Sequence, residues 1–329
     1  MHPKCLLGAA ALLARIALGQ AEPPATVIDP VADRFGQVRV VDDYRWLEDS
    51  ASPRTKDWVE RQNTYTRSFL DRLPDRDPIR LAKREMEAGT HVAYAHVRVS
   101  NGVYFALRDA PPNEQSVLVA MTNPDDLSTE HTIVDPNRID AKGGVAINWY
   151  RPSPDGRFVA VCLSDNTERG DIHVFESANG RPTGDVVPRV NFATASGSLA
   201  WLADGNGFLY THYPRPGERV DADLDFYVKI YRHKLGTTAS QDTYEIGNAF
   251  PKLAEIRLLG GDHGWQFARV ADGDSPRYAF YARSPLGVWS RFLTPKDGVI
   301  DLAQAGDRLL LLSTQRSSTR RSIDVGVGH

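Results

Sequence analysis

The chain has 329 residues, enough for one large or two medium domains with a sizeable core. Its 41% hydrophobic and 25% charged residues are typical of a soluble globular protein. The net charge of −3 gives no reason to expect nucleic acid or an anionic membrane surface, so neither is among the expected partners.

The first residues have the features of a secretory signal peptide. Lys4 supplies positive charge, residues 6–14 form an unbroken apolar run, and Gly19-Gln20-Ala21 places small residues where a signal peptidase acts. We therefore expect residues 1–21 to be removed and the mature chain to be secreted or periplasmic. Arg15 lies late in the apolar stretch, so an apolar N-terminus or a misassigned start is the competing interpretation. The run is too short to span a bilayer.

Removal of the signal would leave Cys162 as the single cysteine, which excludes an internal disulfide. Cys162 lies inside the apolar run 158–163. This position predicts a buried, unreactive thiol.

Residues 22–89 are predicted to be a short helical segment. Residues 22–41 lack periodicity and are predicted to be extended. Ser52-Pro53 is typical of a helix start, with Ser52 as N-cap, and Pro74 would end that helix. Asp77-Pro78 predicts a second start, and Gly89 would close the second helix. The apolar face of the first helix comprises Trp58, Tyr65, Phe69 and Leu73.

Beyond residue 89 the pattern changes from helical to alternating. Asn101-Gly102 separates two strand-like runs and predicts a hairpin. Similar turns return about every 50 residues, each followed by further short strands, which is typical of a β-propeller with about four strands in each repeat. A β-sandwich would not need one turn returning at a fixed interval. The glycines of these turns are Gly102, Gly156, Gly205, Gly261 and Gly306.

Five turns predict five blades, of which the last has only its first strands. The predicted fold class is therefore mainly β: a partial propeller over residues 90–315, after the helical segment. Residues 316–329 show neither alternation nor a helical face. We interpret them as a non-native end produced by a frameshift or premature stop, with a natural disordered tail as the competing interpretation.

Several sequence motifs of the helical segment and of the strand-rich part point to the same protein family. The block Asp43-Tyr44-Arg45-Trp46-Leu47-Glu48-Asp49 precedes a helix that contains Trp58-Val59-Glu60-Arg61-Gln62-Asn63. Ser153-Pro154-Asp155-Gly156-Arg157, Ala200-Trp201-Leu202-Ala203-Asp204-Gly205 and the segment 228–236 follow in the strand-rich part. Together they resemble the prolyl oligopeptidase family of serine peptidases, over about residues 26–315. Ser-Pro-Asp-Gly alone is common to many propellers, whereas the first block is specific.

The resemblance implies a seven-bladed propeller that caps an α/β-hydrolase domain, with the catalytic serine, aspartate and histidine after the propeller. No Gly-x-Ser-x-Gly nucleophile turn occurs in this sequence. We therefore assign no catalytic residue and expect no hydrolysis by this chain alone. Phe192 matches an aromatic position that helps line the family's substrate site, although a lone aromatic residue is more often part of a core.

Two functions remain open at this stage. The chain is the N-terminal part of a prolyl oligopeptidase-like endopeptidase whose partners are peptides cut after proline, or it is a non-catalytic secreted propeller that binds a partner. We expect self-association through exposed blade faces. The nine histidines form no metal-binding pattern, and Asp221, Asp223 and Asp225 lack the glycine and glutamate of a calcium loop, so no metal or other cofactor is expected.

Overall fold

The structure is a computed structural model that describes residues 22–87, 91–165, 169–192 and 196–314. The chain divides into two compact units, residues 1–89 and 90–329. The proposed signal peptide and the tail 316–329 lie outside the described residues. No helix within the described ranges is long and apolar enough to cross a membrane.

The described part of the first unit contains an antiparallel hairpin, a short 3-10 helix (Arg45–Glu48) and two α-helices. The sequence predicted only an extended segment over residues 22–41, but a two-residue turn pairs its second half into a hairpin. The elements are β1 (Val31–Phe35), β2 (Val38–Asp42), α1 (Pro53–Leu70) and α2 (Arg76–Glu87).

The helix starts follow the capping rules with one difference. The Ser52 hydroxyl accepts a hydrogen bond from the Arg54 amide, so the predicted N-cap of α1 is correct. The second helix begins at Arg76, one residue before the predicted Asp77-Pro78 start. Pro78 is tolerated there because a first-turn residue needs no intrahelical N–H bond.

The predicted apolar face of α1 is only partly covered. The Trp58 indole donates to the Thr26 hydroxyl at 3.0 Å, and the Gln62 amide donates to the Pro24 carbonyl at 2.7 Å. These bonds tie the extended segment to the helix. Phe69 lies further along the same face, whereas Leu73 follows the helix, which ends at Leu70 and not next to Pro74 as predicted; each of the two side chains is 42% exposed.

The described part of the second unit consists of four antiparallel four-stranded sheets followed by a hairpin, each made of consecutive strands. Blade 1 comprises β3 (Ala93–Ser100), β4 (Val103–Asp109), β5 (Val117–Met121) and β6 (His131–Val134); a one-turn helix, α3 (Pro136–Ile139), follows. Blade 2 comprises β7 (Val145–Pro152), β8 (Phe158–Asp165), β9 (Gly170–Glu176) and β10 (Pro182–Asn191). Blade 3 comprises β11 (Leu199–Trp201), β12 (Gly207–His212), β13 (Lys229–Lys234) and β14 (Thr243–Ile246). Blade 4 comprises β15 (Ala254–Gly260), β16 (Gln266–Asp272), β17 (Tyr278–Arg283) and β18 (Trp289–Leu293). Blade 5 comprises β19 (Val299–Ala305) and β20 (Arg308–Ser313).

The blades form a partial propeller, as predicted. The first strands of neighbouring blades approach each other, β3 beside β7 and β11 beside β15. Within the described residues no sheet closes on itself, and the last blade has two strands. The mainly β fold class and the count of five blades are therefore confirmed.

Apolar side chains fill the space between consecutive blades. The fully buried Tyr150 of blade 2 packs with Phe105 of blade 1, whereas Phe208 of blade 3 packs with Val174 of blade 2. Cys162 is buried among apolar residues, and burial raises the pKa of its thiol, as expected for an unreactive cysteine.

The turns between the first two strands link neighbouring blades by hydrogen bonds. The Ser100 hydroxyl of blade 1 donates to the Ser153 carbonyl of blade 2 at 2.6 Å, and the Asn101 amide donates to the Asp155 carbonyl at 2.9 Å. In blade 3, a Cβ at Gly205 would lie 2.7 Å from the Asp155 carboxylate. The recurring turn motif is therefore explained by contact between blades as well as by turn geometry.

Glycine is required at position 261 for a different reason from the other four turn glycines. The turn of blade 4 is a short 3-10 segment in which Gly264, with φ 81°, has the left-handed conformation. Gly261 is extended, with φ −126°. A Cβ at Gly261 would lie 2.3 Å from Oε1 of Gln304 in blade 5, so the glycine permits close packing of the next blade.

Candidate functional site

Phe192 lies immediately after β10, between blades 2 and 3. Its ring is half-buried and packs against the buried Tyr213 with 5.8 Å between centroids. Phe192 also borders the apolar cluster that joins blades 3 and 4. The side chain is thus partly covered and partly exposed, which accommodates both a core role and the predicted substrate-lining role.

Two arginines flank the ring of Phe192. The guanidinium carbon of Arg169 lies 4.8 Å from the ring centroid and that of Arg189 lies 5.9 Å away. Arg169 is exposed and forms no ion pair within the described part of the chain. We call Arg169, Arg189, Phe192, Tyr213 and Asp225 the Phe192 surface.

Arg189 is held rigidly by its neighbours. Its φ of 56° is unusual for a non-glycine residue, and its amide donates to the Asp171 carboxylate at 2.9 Å. The guanidinium donates to the Pro214 and Leu224 carbonyls at 2.9 and 2.8 Å and to Asp225 at 3.1 Å. Arg189 therefore joins blade 2 to both ends of the long loop 213–228 between β12 and β13.

That loop presents aromatic and charged side chains. Arg219 lies 3.7 Å from the Tyr227 ring centroid, and the Lys252 ammonium lies 4.7 Å from that of Phe226. Asp223 pairs with both cations, at 3.7 and 3.6 Å. Rings and guanidinium groups in this arrangement can contact apolar peptide side chains and backbone carbonyls.

The base of the loop is anchored by a histidine. His212 is buried, stacks on Tyr231 with 4.1 Å between centroids, and contacts the Glu218 carboxylate at 2.9 Å. Burial lowers the pKa of His212, and the attraction of Glu218 offsets only part of this effect. Burial alone would raise the pKa of Glu218, but its bonds to the Arg215 amide and His212 outweigh burial and lower it.

A second buried histidine joins blades 2 and 3. His233 is 0% exposed and lies between two carboxylates, with Nδ1 2.7 Å from Asp242 and Nε2 3.2 Å from Asp185. The Tyr210 hydroxyl donates to the second Asp242 oxygen at 2.8 Å. Burial opposes the charged imidazolium, but the two carboxylates outweigh burial and raise the pKa of His233.

The hydrogen bonds found among the residues of the described ranges include none between a serine hydroxyl and a histidine ring nitrogen. The most buried serine, Ser153, donates to Asp155 and accepts from the Phe158 amide, as a turn residue does. No group of three histidine, cysteine, aspartate or glutamate side chains in the same ranges could hold a metal ion.

Sequence reasoning identified only one member of the Phe192 surface. Arg169, Arg189 and Tyr213 come from separate strands and loops, so sequence spacing gave no sign that they meet. The aromatic pair Phe226-Tyr227 within a charged segment was the available signal for the loop 213–228.

Comparison with known proteins gives consistent results. The family model described as the prolyl oligopeptidase N-terminal β-propeller domain matches residues 23–326. The prolyl endopeptidase of Elizabethkingia meningoseptica is 30% identical over 224 residues, covering 67% of this chain and 30% of that protein. The dual function macrocyclase-peptidase POPB of Amanita bisporigera is 26% identical over 63% of this chain and 30% of its own length. The chain thus spans about a third of these relatives.

Solved structures of prolyl endopeptidases and oligopeptidases superpose on a larger part of this chain than the sequence alignments cover. A structure from a study of two prolyl endopeptidases superposes with a TM-score of 0.73 at 26% identity, covering 88% of this chain and 42% of the other. Prolyl oligopeptidase B of Galerina marginata, bound to a 35mer hydrolysis and macrocyclization substrate, matches with a TM-score of 0.69 at 20% identity, covering 88% of this chain and 44% of its own, which supports the fold. The chain therefore belongs to the prolyl oligopeptidase family and corresponds to its N-terminal β-propeller domain.

Proposed function

We propose that this chain supplies the peptide-binding propeller of a prolyl oligopeptidase and performs no hydrolysis by itself. The family match and the peptidase names of its relatives support this proposal. The chain corresponds to less than a third of those relatives and has no nucleophile turn, so chemistry would depend on a hydrolase domain outside this sequence.

The observation that carries the proposal is the half-buried ring of Phe192. A ring that packs on Tyr213 and lies beside an exposed arginine offers a stacking surface and a hydrogen-bond donor in one place. A proline-containing peptide presents a flat apolar ring and unpaired carbonyls, which match these two features.

We expect the purified chain to bind a short proline-containing peptide without cleaving it, and Phe192→Ala to weaken binding about tenfold, the loss expected from one buried aromatic contact. Fluorescence anisotropy of a labelled peptide measures binding, and a chromogenic proline peptide measures hydrolysis.

Phe35→Ala is the matched control, because Phe35 is 67% exposed in the first unit. Equal binding by the Phe192→Ala and Phe35→Ala variants would refute the role of Phe192. Turnover that co-purifies with the chain and is blocked by a serine-directed phosphonate would refute the absence of catalysis.

We further propose that the chain is exported with removal of residues 1–21, on the basis of Lys4, the apolar run 6–14 and Gly19-Gln20-Ala21. The expected N-terminus of extracytoplasmic material is Glu22, and mass spectrometry measures it. Recovery of peptides that contain Met1 or Arg15 from that fraction would contradict export by cleavage.

The partial propeller leaves apolar side chains exposed on its first and last blades. Val97 and Val99 of β3 are 59% and 58% exposed, and Leu310 and Leu312 of β20 are 59% and 60% exposed. We propose that these faces bind another copy of the chain. Downstream sequence that encodes further blades and a Gly-x-Ser-x-Gly turn would support the peptidase, whereas its absence favours the non-catalytic binding module.

A further inference from the structure

Three arginines lie on the first strands of the blades, which approach one another along the inner side of the partial propeller. They are Arg98 on β3, Arg151 on β7 and Arg257 on β15, in blades 1, 2 and 4. We call the surface lined by these first strands the inner groove. Asp301 of β19 pairs with Arg257 at 3.5 Å.

Arg151 has an unusual environment for a charged group. It is half-buried, its guanidinium donates to the carbonyl of Tyr150 at 2.9 Å, and its guanidinium carbon lies 5.9 Å from the Trp149 ring centroid. Within the described residues no carboxylate pairs with it. A buried charge without a counter-ion is costly unless something compensates it.

The neighbours of Arg151 increase the local positive charge. The guanidinium carbon of Arg98 lies 5.8 Å from the ring of Tyr150, the residue before Arg151, and in the described chain Arg98 also has no carboxylate partner. Burial, followed by repulsion from Arg98 and Arg257, lowers the pKa of Arg151 to about 10. Arg151 therefore remains charged at neutral pH, with Arg98 and Arg257 close enough to repel it, although Asp301 balances the charge of Arg257.

We propose that the inner groove is a binding site for a carboxylate group, held by Arg151 and Arg98, of a peptide that enters the propeller. The planar guanidinium fork matches the two oxygens of a carboxylate, and the half-buried position strengthens such a bond. The peptide part of this proposal rests on the proposed function. The carboxylate comes from a peptide C-terminus or from an acidic side chain.

The test is calorimetric titration of the full chain with succinate and with three acetylated peptides. The peptides are Ala-Pro-Ala with a free C-terminus, the same peptide as its amide, and Ala-Pro-Glu amide. We expect Arg151→Gln and Arg98→Gln each to weaken succinate binding about tenfold, as for loss of one charged hydrogen bond. Arg291→Gln, an exposed arginine of β18 without an ion pair in the described residues, should leave binding unchanged.

Tighter binding of the free acid than of its amide identifies a C-terminus, whereas tight binding of the Glu amide identifies a side chain. Equal binding of all three peptides overturns the proposal, and so does succinate binding that is absent or unaffected by both substitutions. Neither outcome contradicts peptide binding at the Phe192 surface. Arginine-dependent succinate binding without binding of any peptide supports the site and refutes the proposed function. Arg98 is exposed, so its variant answers the question if Arg151→Gln does not fold.

Discussion

Asp242→Ala is expected to lower the free energy of unfolding by about 3–5 kcal/mol, the range for removing one partner from a buried ion pair. His233 is fully buried, so loss of its 2.7 Å contact to Asp242 leaves the imidazolium with Asp185 alone. Tyr210 loses its acceptor in the same substitution. Because small domains are stable by about 5–15 kcal/mol, this is a large fraction of the total. Urea unfolding followed by fluorescence measures the change.

Asp125→Ala is the control, because Asp125 is an exposed loop residue of blade 1. It should change the free energy of unfolding by less than about 0.5 kcal/mol. An equal effect of the two substitutions would show that the buried pair contributes no more than a surface carboxylate does.

The effect of Asp242→Ala should also depend on pH. The folded-state pKa of His233 is raised above its ordinary 6.5. The stability that it contributes is therefore fully present below about pH 6.5 and is lost as the pH rises through the folded-state pKa. The difference between wild type and variant should be largest near pH 6 and should narrow in alkaline solution.

The second large effect concerns the oligomeric state. We expect the purified chain to self-associate at micromolar concentrations, because apolar strand faces of this kind recruit other chains. In β20, alternate residues Leu309 and Leu311 pack inward, whereas Leu310 and Leu312 point outward. The double substitution Leu310→Lys with Leu312→Lys should therefore restore a monomer, measured by sedimentation velocity and light scattering.

Leu286→Lys is the matched control, because Leu286 is 87% exposed in the turn between β17 and β18. It should leave association unchanged. A wild-type chain that is monodisperse and unfolds in one cooperative transition above about 60 °C, within the upper range for mesophilic domains, would show instead that the partial propeller is stable without a partner.

The repeat and the helix starts were predictable because each depends on local signals. A turn with glycine about every 50 residues indicates one blade per interval, and Ser52-Pro53 marks the first helix within a residue. The hairpin β1–β2 was not predicted, because its residues are largely exposed on both faces. Its sequence therefore lacks the alternation of apolar and polar residues that indicates a strand. Gly261 was predicted as a glycine of the turn, but the need for glycine at this position comes from close packing against Gln304 in the next blade.

Of the candidate site, only Phe192 was predicted, and that prediction rested on a family resemblance. The two arginines of the Phe192 surface come from different strand ends of blade 2, and those of the inner groove come from separate blades. Their proximity depends on how the sheets are arranged around a common axis, which no single segment encodes. The same holds for His233 and its carboxylates, which are 9 and 48 residues away in sequence.

The hydrogen bonds between turns, such as Ser100 to Ser153 and Asn101 to Asp155, connect each blade only to its immediate neighbour. A structure coupled in this way behaves as a one-dimensional chain of repeats, whose free energy is a sum of nearest-neighbour terms. Among the described blades, the first and the last each have one neighbouring blade, whereas the interior blades have two. Blades 2 and 3 would retain their order while the terminal blades fray, so the Phe192 surface lies in the part of the propeller that is least sensitive to its open ends.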